Sequence, residues 1–178
     1  MKILSMKKII GLLTICVISL MIGCSYKEAP QDKFYANAGG FGEMRLPLIK
    51  PFYMFCYDGQ NWMVVEDGGC ILTHEVKRLK AFDNLFLFRS YGSRGVIINN
   101  ERYSGYWLIV DVGNEIEEEY TDYETFKDTL YSRYQITTDT LSWRTPRSYY
   151  EEFKKERLMP WFPDSIANNT IKTTVRWR

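Results

Sequence analysis

The sequence predicts an α+β domain in which an antiparallel β-meander of five to seven strands is followed by one or two helices. Short runs rich in β-branched and aromatic residues occupy residues 52–112, with Asp-Gly and Asp-Asn pairs between several of them. Beyond residue 120 the apolar residues instead recur at helical spacing. A block of strands followed by a block of helices is typical of α+β folds.

The predicted strands are the apolar runs that lie between turns. They cover residues 52–57, 62–66, 70–73, 76–82, 85–89, 95–98 and 106–112. The turn pairs are Asp58-Gly59, Asp67-Gly68 and Asp83-Asn84. These residue types adopt positive φ at low cost, so consecutive strands are expected to pair as hairpins.

A first helix is predicted from about residue 122 to residue 134. Thr121 and Glu124 have the spacing of a capping box, in which the threonine hydroxyl accepts from an exposed backbone amide. Four apolar or aromatic residues then recur on one helical face: Tyr123, Phe126, Leu130 and Tyr134.

A second helix is predicted to begin near Thr145-Pro146, because proline is well tolerated in a first helical turn. Its short apolar face consists of Tyr149, Tyr150 and Phe153. The prolines of residues 159–163 end it, and the domain is expected to span residues 46–163. Residues 164–178 would form a tail that is either disordered or an edge strand.

The first 23 residues have the pattern of an export signal. Lys2, Lys7 and Lys8 precede an apolar run of 15 residues from Ile9 to Gly23. That run is shorter than the roughly 20 residues that a membrane-spanning helix needs. It therefore predicts a secretory signal peptide, with translation starting at Met1 or at Met6.

The end of this run, Leu20-Met21-Ile22-Gly23-Cys24, resembles the lipobox of bacterial lipoproteins. Gly23 and Cys24 match it, while Met21 stands where leucine is usual. The resemblance implies cleavage between Gly23 and Cys24, a diacylglyceryl thioether on Cys24 and usually a further acyl chain. Two or more acyl chains hold a protein stably at a membrane, whereas one gives only marginal binding.

The residues after Cys24 bear on where the lipoprotein resides. By the same resemblance, Ser25 in place of aspartate implies sorting to the outer membrane, if the bacterium has one. Glu28 and Asp32 only weakly match the acidic stretch of surface-exposed lipoproteins, so the leaflet stays open. Residues 24–45 are polar and glycine-rich, and predict a flexible tether.

The charge composition argues against a nucleic-acid partner. Loss of three lysines with the signal leaves 20 basic residues against 22 acidic ones. A slightly acidic, exported protein lacks the basic surface that nucleic-acid binding requires. All 28 aromatic residues lie in the mature chain, where they would build a core or a stacking surface.

Two cysteines remain once Cys16 is cleaved off and Cys24 is lipidated. An oxidising compartment favours a disulfide between Cys56 and Cys70. The predicted meander opposes one, because a strand between them would separate them by about 10 Å, beyond the ~7 Å that a disulfide spans. The pair stays an open candidate.

Catalytic and metal-binding patterns are weak. His74 is the one histidine of the sequence, and no nucleophile that could partner it is identifiable. Ser93 lacks the strand–turn–helix context of a nucleophile elbow. We therefore expect a surface histidine, no metal and no cofactor. One run of acids lacks the glycine and spacing of a calcium loop, and is predicted to lead into a helix N-terminus: Glu115, Glu117, Glu118, Glu119 and Asp122.

Residues 106–111 (YWLIVD) followed by residues 123–126 (YETF) are similar to small bacterial lipoproteins of families without an assigned function. That resemblance implies no activity. The first hypothesis is a non-enzymatic, lipid-anchored envelope protein that binds another protein or stabilises an assembly. The second is a carbohydrate-binding lipoprotein that uses exposed Trp and Tyr rings, and the third is a small hydrolase around His74.

Overall fold

The computed structural model describes residues 32–91, 96–98, 101–103 and 105–168. It confirms the α+β meander. The strands are β1 (Met44–Pro47), β2 (Phe52–Cys56), β3 (Trp62–Glu66), β4 (Ile71–Phe82), β5 (Leu85–Ser90), β6 (Val96–Ile98), β7 (Glu101–Tyr103), β8 (Tyr106–Asp111) and β9 (Ile116–Tyr120). The helices are α1 (Lys33–Ala36), α2 (Tyr123–Tyr134) and α3 (Pro146–Glu156). A 3₁₀ turn at Thr138–Thr140 and a helical turn at 164–168 complete the elements.

Seven strands form one antiparallel sheet in the order β1-β2-β3-β4-β5-β8-β9. Strands β6 and β7 form a separate hairpin, inserted between β5 and β8. Each strand of the large sheet therefore pairs with its neighbour in sequence, apart from this insertion. Such pairings are local and are the ones that short hairpin connections produce.

Strand β4 is shared between two halves of the sheet. Its first part pairs with β3 up to Val76, and its second part pairs with β5 from Val76 to Phe82. The register shifts beside Val76, and Glu75 has a φ of 52°. An irregularity of this kind bends a strand and increases its twist. We predicted two strands here, 70–73 and 76–82; they are one strand bent at the predicted break.

The bend curls the sheet. Four strands separate β2 from β9, so a flat sheet would hold them about 24 Å apart. Nevertheless Phe52 of β2 and Glu117 of β9 line one cavity of about 400 Å³. The sheet therefore has a concave inner face and an outer face.

The inner face carries the main core. Alternate residues of the strands, such as Met54, Leu79 and Phe88, meet the apolar side of α3 there. The segment after α3 closes this core: Trp161 is buried, and its Nε1 donates to the carbonyl of Pro47 at 3.2 Å. The prediction of α3 and of its apolar face is confirmed.

The outer face carries a smaller second core. Leu87 of β5 and Ile109 of β8 pack there against Phe126 and Leu130 of α2. β5 and β8 are thus covered on both faces, which explains their nearly continuous apolar sequences.

The described residues also correct the predicted boundaries. The tether prediction is wrong from Asp32 onward: the Asp32 carboxylate caps α1 and pairs with Lys50 at 2.7 Å, while Phe34 and Tyr35 are buried. At the other end, Ile166 packs against the main core, so the domain continues past residue 163.

Two expectations near α2 are also corrected. The acidic run is not a lead-in to the helix, because residues 116–120 form β9. The N-cap of α2 is Asp122 and not Thr121, since the Asp122 carboxylate accepts from the backbone N–H of Thr125 at 2.8 Å.

Several predictions fall outside the described residues. They are the signal peptide over 1–23, the lipidation site Cys24, the start of the tether, Ser93 and the end of the C-terminal tail. Among the helices that the structure describes, none has the length and apolarity to span a bilayer.

Candidate functional site

The outer face holds a cleft that we call the aromatic cleft, with a volume of about 280 Å³. It is lined by Arg89, Trp107, Tyr123, Thr138 and Trp143. Concave sites lined by aromatic rings with a few polar groups are typical of small-ligand binding sites. The cleft is therefore the candidate site.

The sheet places the first two residues side by side. Arg89 of β5 and Trp107 of β8 are paired across the strands. They share the outer face with Leu87 and Ile109, because side chains two residues apart on a strand point the same way. The second core thus forms the foundation of the cleft.

The other walls come from the C-terminal region. Tyr123 is the first residue of α2. Trp143 precedes Arg144, whose backbone forms two hydrogen bonds with Leu79 of β4, at 2.8 and 3.0 Å. This isolated bridge uses the edge of β4 beyond the end of β3, and it fixes the Trp143 segment against the sheet.

The rings of the cleft are held by other rings. Trp107 stacks on Phe126 with centroids 5.7 Å apart, and it contacts Tyr123 at 5.3 Å. Trp107 and Trp143 are half-buried, and Tyr123 is 41 % exposed. Aromatic side chains fixed in this way can offer ring surface to a ligand with little loss of side-chain entropy.

Arg89 supplies the charge of the cleft. Its guanidinium lies 5.5 Å from the Trp107 ring and 4.5 Å from the Tyr91 ring. Its Nε is buried and has no hydrogen-bond partner among the residues described. A buried N–H without an acceptor costs free energy, and a ligand acceptor that drew the guanidinium toward the cleft would relieve that cost.

His74 lies elsewhere, exposed on β4, and lines a shallow hollow of about 360 Å³ together with Asp58 and Glu75. The Asp58 carboxylate accepts from the backbone N–H groups of Gln60 and Asn61, at 2.9 and 2.7 Å. These bonds hold the pKa of Asp58 well below its usual range. The carboxylate is thus engaged in shaping its own turn.

Cys56 and Cys70 are both free thiols, the first buried and the second exposed. Strand β3 lies between them, and they adjoin its opposite ends: Phe55 pairs with Met63, while the Cys70 carbonyl accepts from Glu66 N–H at 2.8 Å. The offset along β3 adds about 13 Å to the separation across the sheet. Burial raises the pKa of the Cys56 thiol, which makes it a weaker nucleophile.

The acids of β9 divide between the two faces of the sheet. Glu118 bonds to Arg133 of α2, whereas Glu117 lines the cavity near Lys50. Partial burial and the charge of Glu66 raise the pKa of Glu117. Across the described ranges, no three His, Cys, Asp or Glu side chains converge as a metal site would require.

Sequence reasoning anticipated a stacking surface of Trp and Tyr but did not identify the residues of this cleft. One signal was available: Arg89 is a charge inside an otherwise apolar run, LFLFRS. A charge that interrupts a buried strand often has a specific partner or function. The contribution of Trp143 had no such local signal.

Comparison with models of protein families, with curated proteins and with solved structures finds no match to this chain. The chemistry of the site is therefore the evidence for its function.

Proposed function

We propose that this chain is a lipid-anchored protein of the bacterial cell envelope that binds a carbohydrate in the aromatic cleft without transforming it. The observation that carries the proposal is the distribution of tryptophans. Trp62 and Trp161 are buried in the main core, whereas Trp107 and Trp143 are half-exposed and line the same cleft.

The chemistry of the cleft suits a sugar ring. A pyranose has C–H faces that pack on aromatic rings, and hydroxyl groups around its edge that need hydrogen-bond partners. Trp107, Tyr123 and Trp143 provide the rings, while Arg89 and Thr138 provide polar groups at the same cavity. Its volume of about 280 Å³ lies just below the roughly 300–1,000 Å³ of drug-sized ligand sites, which suits one sugar ring better than a protein surface.

The anchor is proposed from the sequence. The lipobox resemblance of residues 20–24 implies lipid on Cys24, and the first described residue, Asp32, follows closely. A connection of so few residues would keep the domain near the membrane surface. We propose the outer membrane as its location, if the organism has one.

Binding of another envelope protein is the second candidate. The observation that favours it is Phe41, whose side chain is fully exposed in the loop before β1. A single ring covers little area, however, while a stable protein interface buries roughly 800 Å² on each partner. The cleft therefore gives the carbohydrate hypothesis more support than Phe41 gives this one.

A hydrolase centred on His74 has less support than either. His74 is exposed, and the neighbouring Asp58 carboxylate is engaged with backbone amides. Cys56, the thiol nearest to this hollow, is buried.

The binding proposal is tested with the full chain purified from envelopes in detergent, first on a glycan array and then by calorimetric titration. Tyr123→Ala should weaken binding by about tenfold, as expected for loss of one stacking ring. Tyr131→Ala is the matched control, because Tyr131 lies on the same helix, is 58 % exposed and does not line the cleft. Equal effects of the two substitutions, or no glycan binding at all, would contradict the proposal.

The anchor is tested separately with Cys24→Ser. Radiolabelled palmitate should enter the native chain and not the variant, which should retain the leader. Membrane fractions of the native chain should contain the label. Label in both proteins, or in neither, would remove the proposed lipid anchor and leave the cleft argument unaffected.

A further inference from the structure

We propose that the aromatic cleft selects an acidic saccharide, whose negatively charged group is bound by Arg89 with help from Arg78. The inference rests on the proposed carbohydrate binding and adds the class of ligand. The shared chemistry is an anionic group on a sugar ring, either a carboxylate or a sulfate.

The first observation is the register of β4 and β5. Arg78 and Arg89 are directly paired across the two strands. Both lie on the outer face, because their neighbours Leu79 and Phe88 belong to the main core on the inner face. Like charges directly opposite each other destabilise a sheet, unless a counter-charge lies between them.

The second observation is that no such counter-charge belongs to the protein, as far as the structure describes it. Arg133 and Arg144 form ion pairs, with Glu118 and Glu152 respectively. No acidic side chain among the described residues pairs with Arg78 or Arg89. Three acids are adjacent in sequence to lining residues: Asp122 and Glu124 flank Tyr123, and Asp139 follows Thr138. Asp122 caps α2, Glu124 pairs with Lys127, and Asp139 is exposed.

A third cation lies on the same face. Lys80 pairs with Leu87, and its Nζ donates to the hydroxyl of Ser142 at 3.3 Å, next to the cleft residue Trp143. Three positive charges thus lie together on the outer face of β4 and β5, and one of them, Arg89, lines the cleft. Charges grouped in this way attract an anion from solution and orient it.

The Nε of Arg89 is buried and has no hydrogen-bond partner among the residues that the structure describes. Arg45 is the useful comparison: its Nε is equally without a partner, but it lies 3.7 Å over the Tyr53 ring and lines none of the cavities described above. Among the arginines whose side chains the structure describes, Arg89 alone combines an Nε without a partner with a place in the lining of a described cavity. A guanidinium can bind a carboxylate or sulfate through two parallel N–H bonds.

A neutral sugar would satisfy this arginine poorly. Its hydroxyls can accept one hydrogen bond but bring no charge to offset Arg78 and Arg89. A site built for a charged partner discriminates against an analogue that lacks the charge. The aromatic rings would bind both sugars, and the arginines would favour the acidic one.

The test compares matched glycans on the full chain in detergent. The probes are a hyaluronan tetrasaccharide, the same tetrasaccharide with its carboxylates reduced to alcohols (the reduced probe), and a chondroitin sulfate tetrasaccharide whose carboxylates are likewise reduced, so that sulfate is its one kind of anionic group (the sulfated probe). Binding of either acidic probe should be at least about tenfold tighter than that of the reduced probe. Tighter binding of hyaluronan than of the sulfated probe would identify the anionic group as a carboxylate. The opposite order would identify it as a sulfate.

Arg89→Met should remove this preference: binding of the acidic probes should fall at least about tenfold more than binding of the reduced probe, which also loses the hydrogen bonds of Arg89 to hydroxyl groups. Arg78→Met, at an exposed residue, should reduce the preference in part and guards against misfolding of the first variant. Arg147→Met is the control, because Arg147 is on α3 and pairs with Glu151.

The outcomes separate the two proposals. Equal binding of acidic and reduced probes, lost in Tyr123→Ala, would retain carbohydrate binding and overturn the acidic selection. Equal loss of all probes in Arg89→Met would also overturn the selection. If no saccharide binds at all, both proposals fail, and binding of inorganic sulfate alone would leave an anion site without a sugar ligand.

Discussion

Arg133 of α2 donates two hydrogen bonds to the Glu118 carboxylate of β9, at 2.8 and 3.2 Å. The pair joins the helix to the last strand of the sheet, and Tyr120 also donates its hydroxyl to Glu118. Because α2 begins with Tyr123, the same contact helps to fix one wall of the aromatic cleft. Hydrogen bonding to Arg133 is the main reason why the pKa of Glu118 lies below its usual range.

Glu118→Gln is expected to destabilise the protein at neutral pH by no more than about 1 kcal/mol, because the pair is partly exposed and screened by solvent. A carboxylate with a lowered pKa in the folded state contributes stability above its ordinary pKa, here 4.5, and loses it as the pH falls through the lowered value. Urea unfolding should thus show a difference at pH 7 that shrinks toward pH 3. An equal difference at both pH values would contradict the ion-pair explanation.

The second core predicts a larger effect for Leu130→Ala. Leu130 is fully buried where α2 packs on β5 and β8, and deleting such a side chain costs about 2–5 kcal/mol. The adjacent Tyr131 is 58 % exposed, so Tyr131→Ala should change stability by less than about 0.5 kcal/mol. Guanidinium unfolding of both variants checks this. Similar midpoints would mean that α2 does not cover the outer face.

The meander was predictable because each of its pairings is local. Apolar runs separated by Asp-Gly and Asp-Asn turns identify consecutive hairpins, and β5 and β8 stand out because both of their faces are buried. The edge strands β1 and β9 were missed for a physical reason. Edge strands are short and often charged, which protects them from pairing with other chains but weakens their sequence signal. β9, with the sequence IEEEY, is of this kind.

The cleft was less predictable because its walls meet only through tertiary structure. The pairing of Arg89 with Trp107 depends on the register across an inserted hairpin. The place of Trp143 depends on the bridge between Leu79 and Arg144, which exists because β3 ends before β4 does. Neither relationship is encoded in a local pattern. Composition could indicate a stacking surface, but not which rings would form it.

The N-cap of α2 gives a third prediction, which separates two neighbouring residues. The Asp122 carboxylate accepts from both the backbone N–H and the hydroxyl of Thr125, whereas Glu124 pairs with Lys127 and does not complete a capping box. Asp122→Ala should therefore lower Tm by a few degrees, and Thr121→Ala much less.

Asp122→Asn is the conservative control, because asparagine is also a good N-cap and should retain most of the stability. Thermal unfolding followed by circular dichroism is the measurement. A larger loss in Thr121→Ala than in Asp122→Ala would restore Thr121 as the cap.

The two thiols give a fourth prediction. Cys70 is exposed and Cys56 is buried, with a pKa raised by that burial, so iodoacetamide at pH 8 should add once to the native mature chain and twice after unfolding. Cys70→Ser should remove the native adduct. The strand arrangement keeps the two residues too far apart for a bridge, so intact mass should be the same with and without reductant. A gain of two hydrogens on reduction would show that the order of β2, β3 and β4 is wrong, because no other pair of free thiols remains once Cys24 carries lipid.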